Sequence, residues 1–100
     1  MQGLPERGKK MKRAVITVVG KDCVGIIAKT CTYLAENGIN ILDISQTIVK
    51  EFFNMMMIVD VTDIDKDFLV VANELEELGK KIGVSIKIQR EDIFDMMHRI

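Results

Sequence analysis

One hundred residues make a single domain with one core and little margin. Apolar residues are 48% of the chain, charged residues 29%, and the formal net charge is −1, which argues against a broad basic surface for DNA or RNA. Tryptophan is absent, aromatics are scarce, and no run approaches the ~20 apolar residues of a membrane span, so base-stacking platforms and membrane crossing are both disfavoured.

Residues 1–12 read as a flexible basic arm, with Met11 an alternative start, and 13–100 as one domain. The arm lacks the apolar stretch of a secretory signal. Cys23 and Cys31 are the only cysteines. On one helix their spacing separates the alpha carbons by roughly 12 Å, too far for a disulfide, so a reducing cytoplasm is the expected setting. Nothing in the sequence calls for a cofactor.

The first strand, Ala14 to Val19, is apolar on both sides: Ala14, Ile16 and Val18 on one, Val15 and Val19 beside Thr17 on the other. Such a strand belongs in the middle of a sheet covered on both faces. Asp22 suits the N-cap of a helix reaching about Asn37, with Val24, Ile27, Ala28, Cys31, Leu34 and Ala35 as its buried stripe and Gly38 past its end. Ile39 to Val49 and Phe52 to Val61 follow as strands. Lys50-Glu51 lacks the Asn-Gly preferred in two-residue turns, so a slightly longer loop is expected between them. Met55 and Met57 should share one face of that strand and Met56 the other.

A second helix is expected from Lys66 to about Lys81, burying Phe68, Ala72, Leu75, Leu78 and Ile82 and turning Glu74, Glu76 and Glu77 to water. Gly83 precedes a last strand, Val84 to Gln89. The tail from Glu91 reads as a short helix with Ile93, Phe94, Met97 and Ile100 on one side. Right-handed crossovers then give an α+β, βαββαβ ferredoxin-like fold: a four-stranded antiparallel sheet, two helices on one face and a short C-terminal helix. The other face would expose parts of Val15, Val19, Leu42, Ile44, Met56 and Ile58. The terminal helix covers some of that patch in this reading, and a second subunit the rest.

The loop after the first strand concentrates the candidate chemistry. Gly20 and Gly25 would let a ligand approach the backbone, Lys21 and Asp22 supply polar groups, and Cys23 opens a helix, where a thiolate is favoured. Asp22 equally serves as a simple helix cap, and Gly25 as a point of close helix packing. No His or second Cys lies near Cys23, so a reactive role is disfavoured. Asp63, Asp65, Asp67 and Glu74 match four positions of a calcium loop, but Phe68 stands where Gly is needed, and helix capping by Asp63 or Asp65 is the better account. His98 has only Asp95 one turn earlier, which favours an ion pair over a metal site.

Gly20-Lys21-Asp22-Cys23-Val24-Gly25-Ile26-Ile27, followed by Leu34 to Ile41, resembles the ACT domain, a small regulatory module that often binds amino acids at subunit interfaces. The resemblance covers Arg13 to Gln89, and the tail from Ile93 resembles the ending of the stand-alone ACT-domain proteins, themselves similar to the regulator of the glycine cleavage system. It implies that Asp22 and Asn40 hold a ligand whose carboxylate meets the amides of Val24, Gly25 and Ile26. Two departures stand out: Val24 replaces the proline common before the glycine, and Asp22 replaces the Asn of some amino-acid-binding members. Asn40 otherwise fixes the turn after Gly38. The expected function is a homodimeric sensor of an amino acid or related metabolite, or alternatively a ligand-free dimerisation module acting on a protein partner. No nucleophile–base or carboxylate pair suggests an enzyme.

Overall fold

The computed structural model describes residues 12–21 and 24–91, the Val24 side chain excepted. Its elements are β1 (Arg13–Gly20), α1 (Val24–Glu36), β2 (Asn40–Val49), β3 (Phe52–Asp60), α2 (Phe68–Ile82) and β4 (Ser85–Arg90). The strands lie in the order β2-β3-β1-β4, each pair antiparallel. This is the βαββαβ ferredoxin-like arrangement that the order of elements predicts. The expected tail helix, with Ile93, Phe94, Asp95, Met97, His98 and Ile100, and the arm up to Met11 lie outside the described residues. Lys12 is tied to the end of β3: its carbonyl accepts from the Val61 amide at 2.9 Å and its own amide donates to Thr62 Oγ1 at 2.8 Å.

Alternation decides what the strands bury. Ile16 and Val18 of β1, Met55 and Met57 of β3, and Ile86 of β4 face the helices and are almost completely enclosed, each such side chain contributing about 1.5–3 kcal/mol. Met56 lies on the other face and is exposed, as its place in the triplet predicts. Along α2 the buried positions are Val71, Leu75 and Gly79, with Phe68, Ala72, Leu78 and Ile82 half-buried beside them. Gly79 is in this stripe because a side chain would not fit. A Cβ there would lie 2.7 Å from the Val84 carbonyl, so the glycine lets α2 settle directly on β4.

Several expectations need correcting. On α1 the enclosed residues are Ile26, Thr30 and Leu34; Ala28 and Ala35 are exposed, and Cys31 is only half-buried rather than core. The stripe runs one step away from the predicted one because a threonine takes a core position, and its hydroxyl has no hydrogen-bond partner. The β2–β3 connection is not lengthened: Val49 pairs with Phe52, and Lys50 adopts a φ of 58° to close a two-residue turn. Neither Asp63 nor Asp65 caps α2. Asp67 occupies the N-cap position without a side-chain bond, while Gly83, at φ 80°, ends the helix as expected.

A bulge changes the face that β2 presents. Ile41 pairs with Val59 and Asp43 with Ile58, so Leu42 is an extra residue without an opposite number. Strict alternation would put Ile44 on the helix-free face with Leu42. The bulge instead aligns Ile44 with Met57, Gln46 with Met55 and Ile48 with Phe53, on the helix side. All ten residues of β2 nevertheless remain exposed, since this edge strand lies beyond the cover of the helices. On the helix-free face Val15 is buried, at 4% exposure, whereas Val19 and Met56 are open at 38% and 39%.

Candidate functional site

The β1–α1 loop leaves the sheet at Gly20, and its described members divide into packing and open positions. A Cβ on Gly20 would run into Val84 Cγ1, so that glycine is dictated by packing. Gly25 is the reverse: it is exposed, and an added Cβ would meet no described atom within 4 Å. Close helix packing therefore does not explain it. Ile26 buries its side chain in the core, leaving only its backbone for any ligand. The first turn of α1 contains no acidic residue, so the amides of Val24, Gly25 and Ile26 carry the partial positive charge of a helix start. Asp22 and Cys23, the predicted cap and the predicted thiol, lie outside the described residues.

Lys21 is drawn toward the β2–β3 hairpin. Its ammonium lies 3.4 Å from Glu51 Oε2 and 5.6 Å from the centroid of the Phe52 ring. Both ends of the ion pair are exposed, so it contributes little stability, but it sets the side chain beside the end of the hairpin.

Asn40 stands far from this loop. It pairs with Asp60, which pairs with Arg13, so Asn40 is level with the beginning of β1. Gly20 pairs with Phe53, which pairs with Ile48, so the loop is level with the far end of β2. The seven-residue offset along β1 amounts to roughly 23 Å. One copy of the chain therefore does not bring Asn40 and the Gly20–Ile26 loop together. Asn40, Lys21 and Gly25 are exposed and available from outside.

A polar bridge between the helices escaped the periodicity argument. Tyr33 Oη donates to Glu74 Oε1 at 2.6 Å, and Lys66 Nζ donates to the same oxygen at 2.7 Å while sitting 5.9 Å from the Tyr33 ring centroid. Glu74 thus joins the α1–α2 contact while its side chain stays part-exposed to water, as expected of it. The Lys66 hydrogen bond, then that of Tyr33, holds its carboxyl below the usual glutamate value. Burial, reinforced by Glu74, pushes the Tyr33 phenol above its usual value. A tyrosine at a half-buried helix position facing a glutamate was the available clue.

Comparison with known proteins places this geometry. The model of the ACT domain matches residues 12–89. A UPF0237 protein of Bifidobacterium longum is 60% identical over 90 residues, covering 90% of this chain and all of that protein. The solved structure of an ACT domain protein from Streptococcus pneumoniae superposes with a TM-score of 0.75 at 45% identity, over 86% of this chain and 97% of that one. A glycine cleavage system transcriptional repressor shares the fold at 24% identity and a TM-score of 0.69, over 80% of this chain and 46% of its own. The chain belongs to the ACT-domain family. That family commonly supplies regulatory ligand-binding modules rather than catalysts. Among the described residues no helix is long and apolar enough to cross a membrane.

Proposed function

We propose that this protein is a homodimeric sensor that binds an amino acid, or a metabolite with the same α-amino carboxylate, at the junction of two copies. The single observation that carries the reading is the opposed placement of Asn40 and the Gly20–Ile26 loop along the sheet. Pairing two β2 edges antiparallel sets the beginning of one β2 beside the end of the other. Asn40 of one copy then reaches the end of the sheet from which the loop of the second copy springs. The loop amides take the carboxylate and Asn40 takes the amino group. Support comes from the exposed β2 edge with Ile41, Ile44 and Ile48, from the open space over Gly25, and from the regulatory character of the family. Ligand binding at such a junction alters the pairing of the copies, which a protein partner in the cell can read.

The test combines thermal shift with complementation. Screening the standard amino acids at millimolar concentration is expected to raise the melting temperature for one or a few of them, with Gly25→Asp and Asn40→Ala each abolishing the rise. Mixing equal amounts of the two variants under conditions of subunit exchange restores about a quarter of the sites, because about half of the dimers are then mixed and one of the two junctions in each keeps an intact loop and an intact Asn40. A site within one chain gives no such rescue. The exposed edge also suits a second reading, a ligand-free assembly module acting on a protein partner, and a flat response to every amino acid would favour it.

A further inference from the structure

Among the described residues, Val15 is the one buried apolar side chain that lies outside the core cluster, because it sits on the helix-free face of β1. Val19 is its internal control. The two share a residue type, a strand, a face and the same neighbouring strands, yet Val15 is 4% exposed and Val19 38%. The residues opposite Val15, Ile58 on β3 and Gln89 on β4, are themselves half-buried, so they are covered along with it. Those opposite Val19, Asn54 and Ser85, are exposed. In the row between, Met56 and Lys87 are exposed on either side of a half-buried Thr17. Cover on this face therefore declines from the Arg90 end toward the Gly20 end.

Two lengths of chain outside the described residues adjoin the covered end. β4 finishes at Arg90, opposite Ala14, and Arg13 Nε donates to Glu91 Oε1 at 2.9 Å, so the chain leaves Glu91 beside the strand that carries Val15. Residues 92–100 then supply Ile93, Phe94, Met96, Met97 and Ile100. A segment of that length spans about 30 Å extended or about 14 Å as a helix, while β1 and β3 lie only roughly 5 and 10 Å from β4. Either conformation reaches Val15 and Ile58. The other length, residues 1–11, joins the face through Lys12, but Gly3, Arg7, Gly8, Lys9 and Lys10 suit it to water rather than to a Val–Ile patch.

We propose that residues 92–100 fold back across the helix-free face of their own chain and close its Val15–Ile58 end. The tie between Arg13 and Glu91 starts the tail over its own β1, which favours it over the tail of a second copy. Val19 and Met56 lie beyond the covered row and stay open to a partner. The contact uses neither Asn40 nor the Gly20–Ile26 loop, so it stands or fails apart from amino-acid binding.

The test is a ¹³C-edited NOESY spectrum of the full chain with labelled methyl groups. The expected result is cross-peaks from the Val15 and Ile58 methyls to Phe94 or to the Met96 and Met97 methyls, with none from Val19. Absence of any contact between Val15 or Ile58 and residues 92–100 overturns the proposal. In an equimolar mixture of labelled and unlabelled chains, an isotope-filtered spectrum is expected to lack these peaks. Their appearance there assigns the cover to a second copy and overturns the proposal as well. A soluble gadolinium chelate gives an independent readout: Val15 and Ile58 methyls are expected to relax faster in a chain ending at Glu91 than in the full chain, with Val19 and Met56 unchanged. Phe94→Glu in the full chain is expected to expose the same two side chains, so the readout does not depend on the shortened chain folding. Protection that survives Phe94→Glu, or that is lost instead when residues 1–11 are removed, overturns the proposal.

Discussion

Two glycines in this chain face opposite demands, and substitution separates them. Gly79 lies against the Val84 carbonyl, so Gly79→Ala forces α2 away from β4 and is expected to cost about 1–3 kcal/mol, an overpacking penalty. Gly25 has open space around its Cα in a helix, so Gly25→Ala is expected to be neutral or to stabilise by up to about 1 kcal/mol. Urea unfolding of the two variants checks both signs. A large loss at Gly25 would mean that the loop glycine is a packing residue after all. Spacing alone could not distinguish these positions: both glycines stand among apolar residues at helical intervals, and only the distance to the neighbouring strand tells them apart. Thr30 was illegible for a related reason, since a hydroxyl in a helix is ordinarily assigned to the solvent side.

At the level of the element, β2 carries the argument for assembly. It pairs on one side only, all ten of its residues are exposed, and Ile48 reaches 66% exposure. In an antiparallel pairing of two β2 edges, Ile44 lies beside the two-fold axis, so a charge placed there meets its own copy. Ile44→Lys is therefore expected to shift the protein toward monomer in light scattering with an unchanged far-UV spectrum. Persistence of the dimer would move the interface elsewhere, most simply to the helix-free face around Val19 and Met56. The run Ala14–Val19, apolar on both sides, and the alternation along Val84–Gln89 made the central and outer strands readable from the sequence. It failed on β2 because nothing in Ile41-Leu42-Asp43 announces an unpaired residue, and one such residue turns the rest of the strand over.

Across the whole molecule, the bridge from Tyr33 to Glu74 ties the two helices and gives stability a pH signature. The depressed Glu74 carboxyl contributes stability above its ordinary value of 4.5, and that contribution is lost as pH falls through the lower folded value. The raised Tyr33 phenol acts at the other limit: its contribution is complete below the ordinary value of 10.0 and is lost as pH rises toward its folded value. Urea midpoints measured from pH 2 to 7 should therefore fall less steeply below pH 4.5 in Glu74→Gln than in the parent chain. Tyr33→Phe should cost about 1 kcal/mol at neutral pH, the worth of one hydrogen bond. Equal acid slopes in the Glu74→Gln and parent chains would show that the bridge does not couple to folding. The fold was legible because hydrophobic period and glycine placement both act locally. The candidate site was only half legible: residue types name Asn40 and the loop, but their separation is a property of strand direction.

Leu42 has a consequence for how far such pairing can run. Without it, every other residue of β2 keeps its present opposite number on β3, and the strand becomes flat and regular. With it, the edge is kinked near its beginning, and the Ile44 amide is occupied at 3.0 Å by Asp43 Oδ1 instead of facing a newcomer. In the proposed pairing of edges the surplus leucine would therefore act as a governor on self-association, and a chain shortened by that one residue would be the form most prone to grow into fibres.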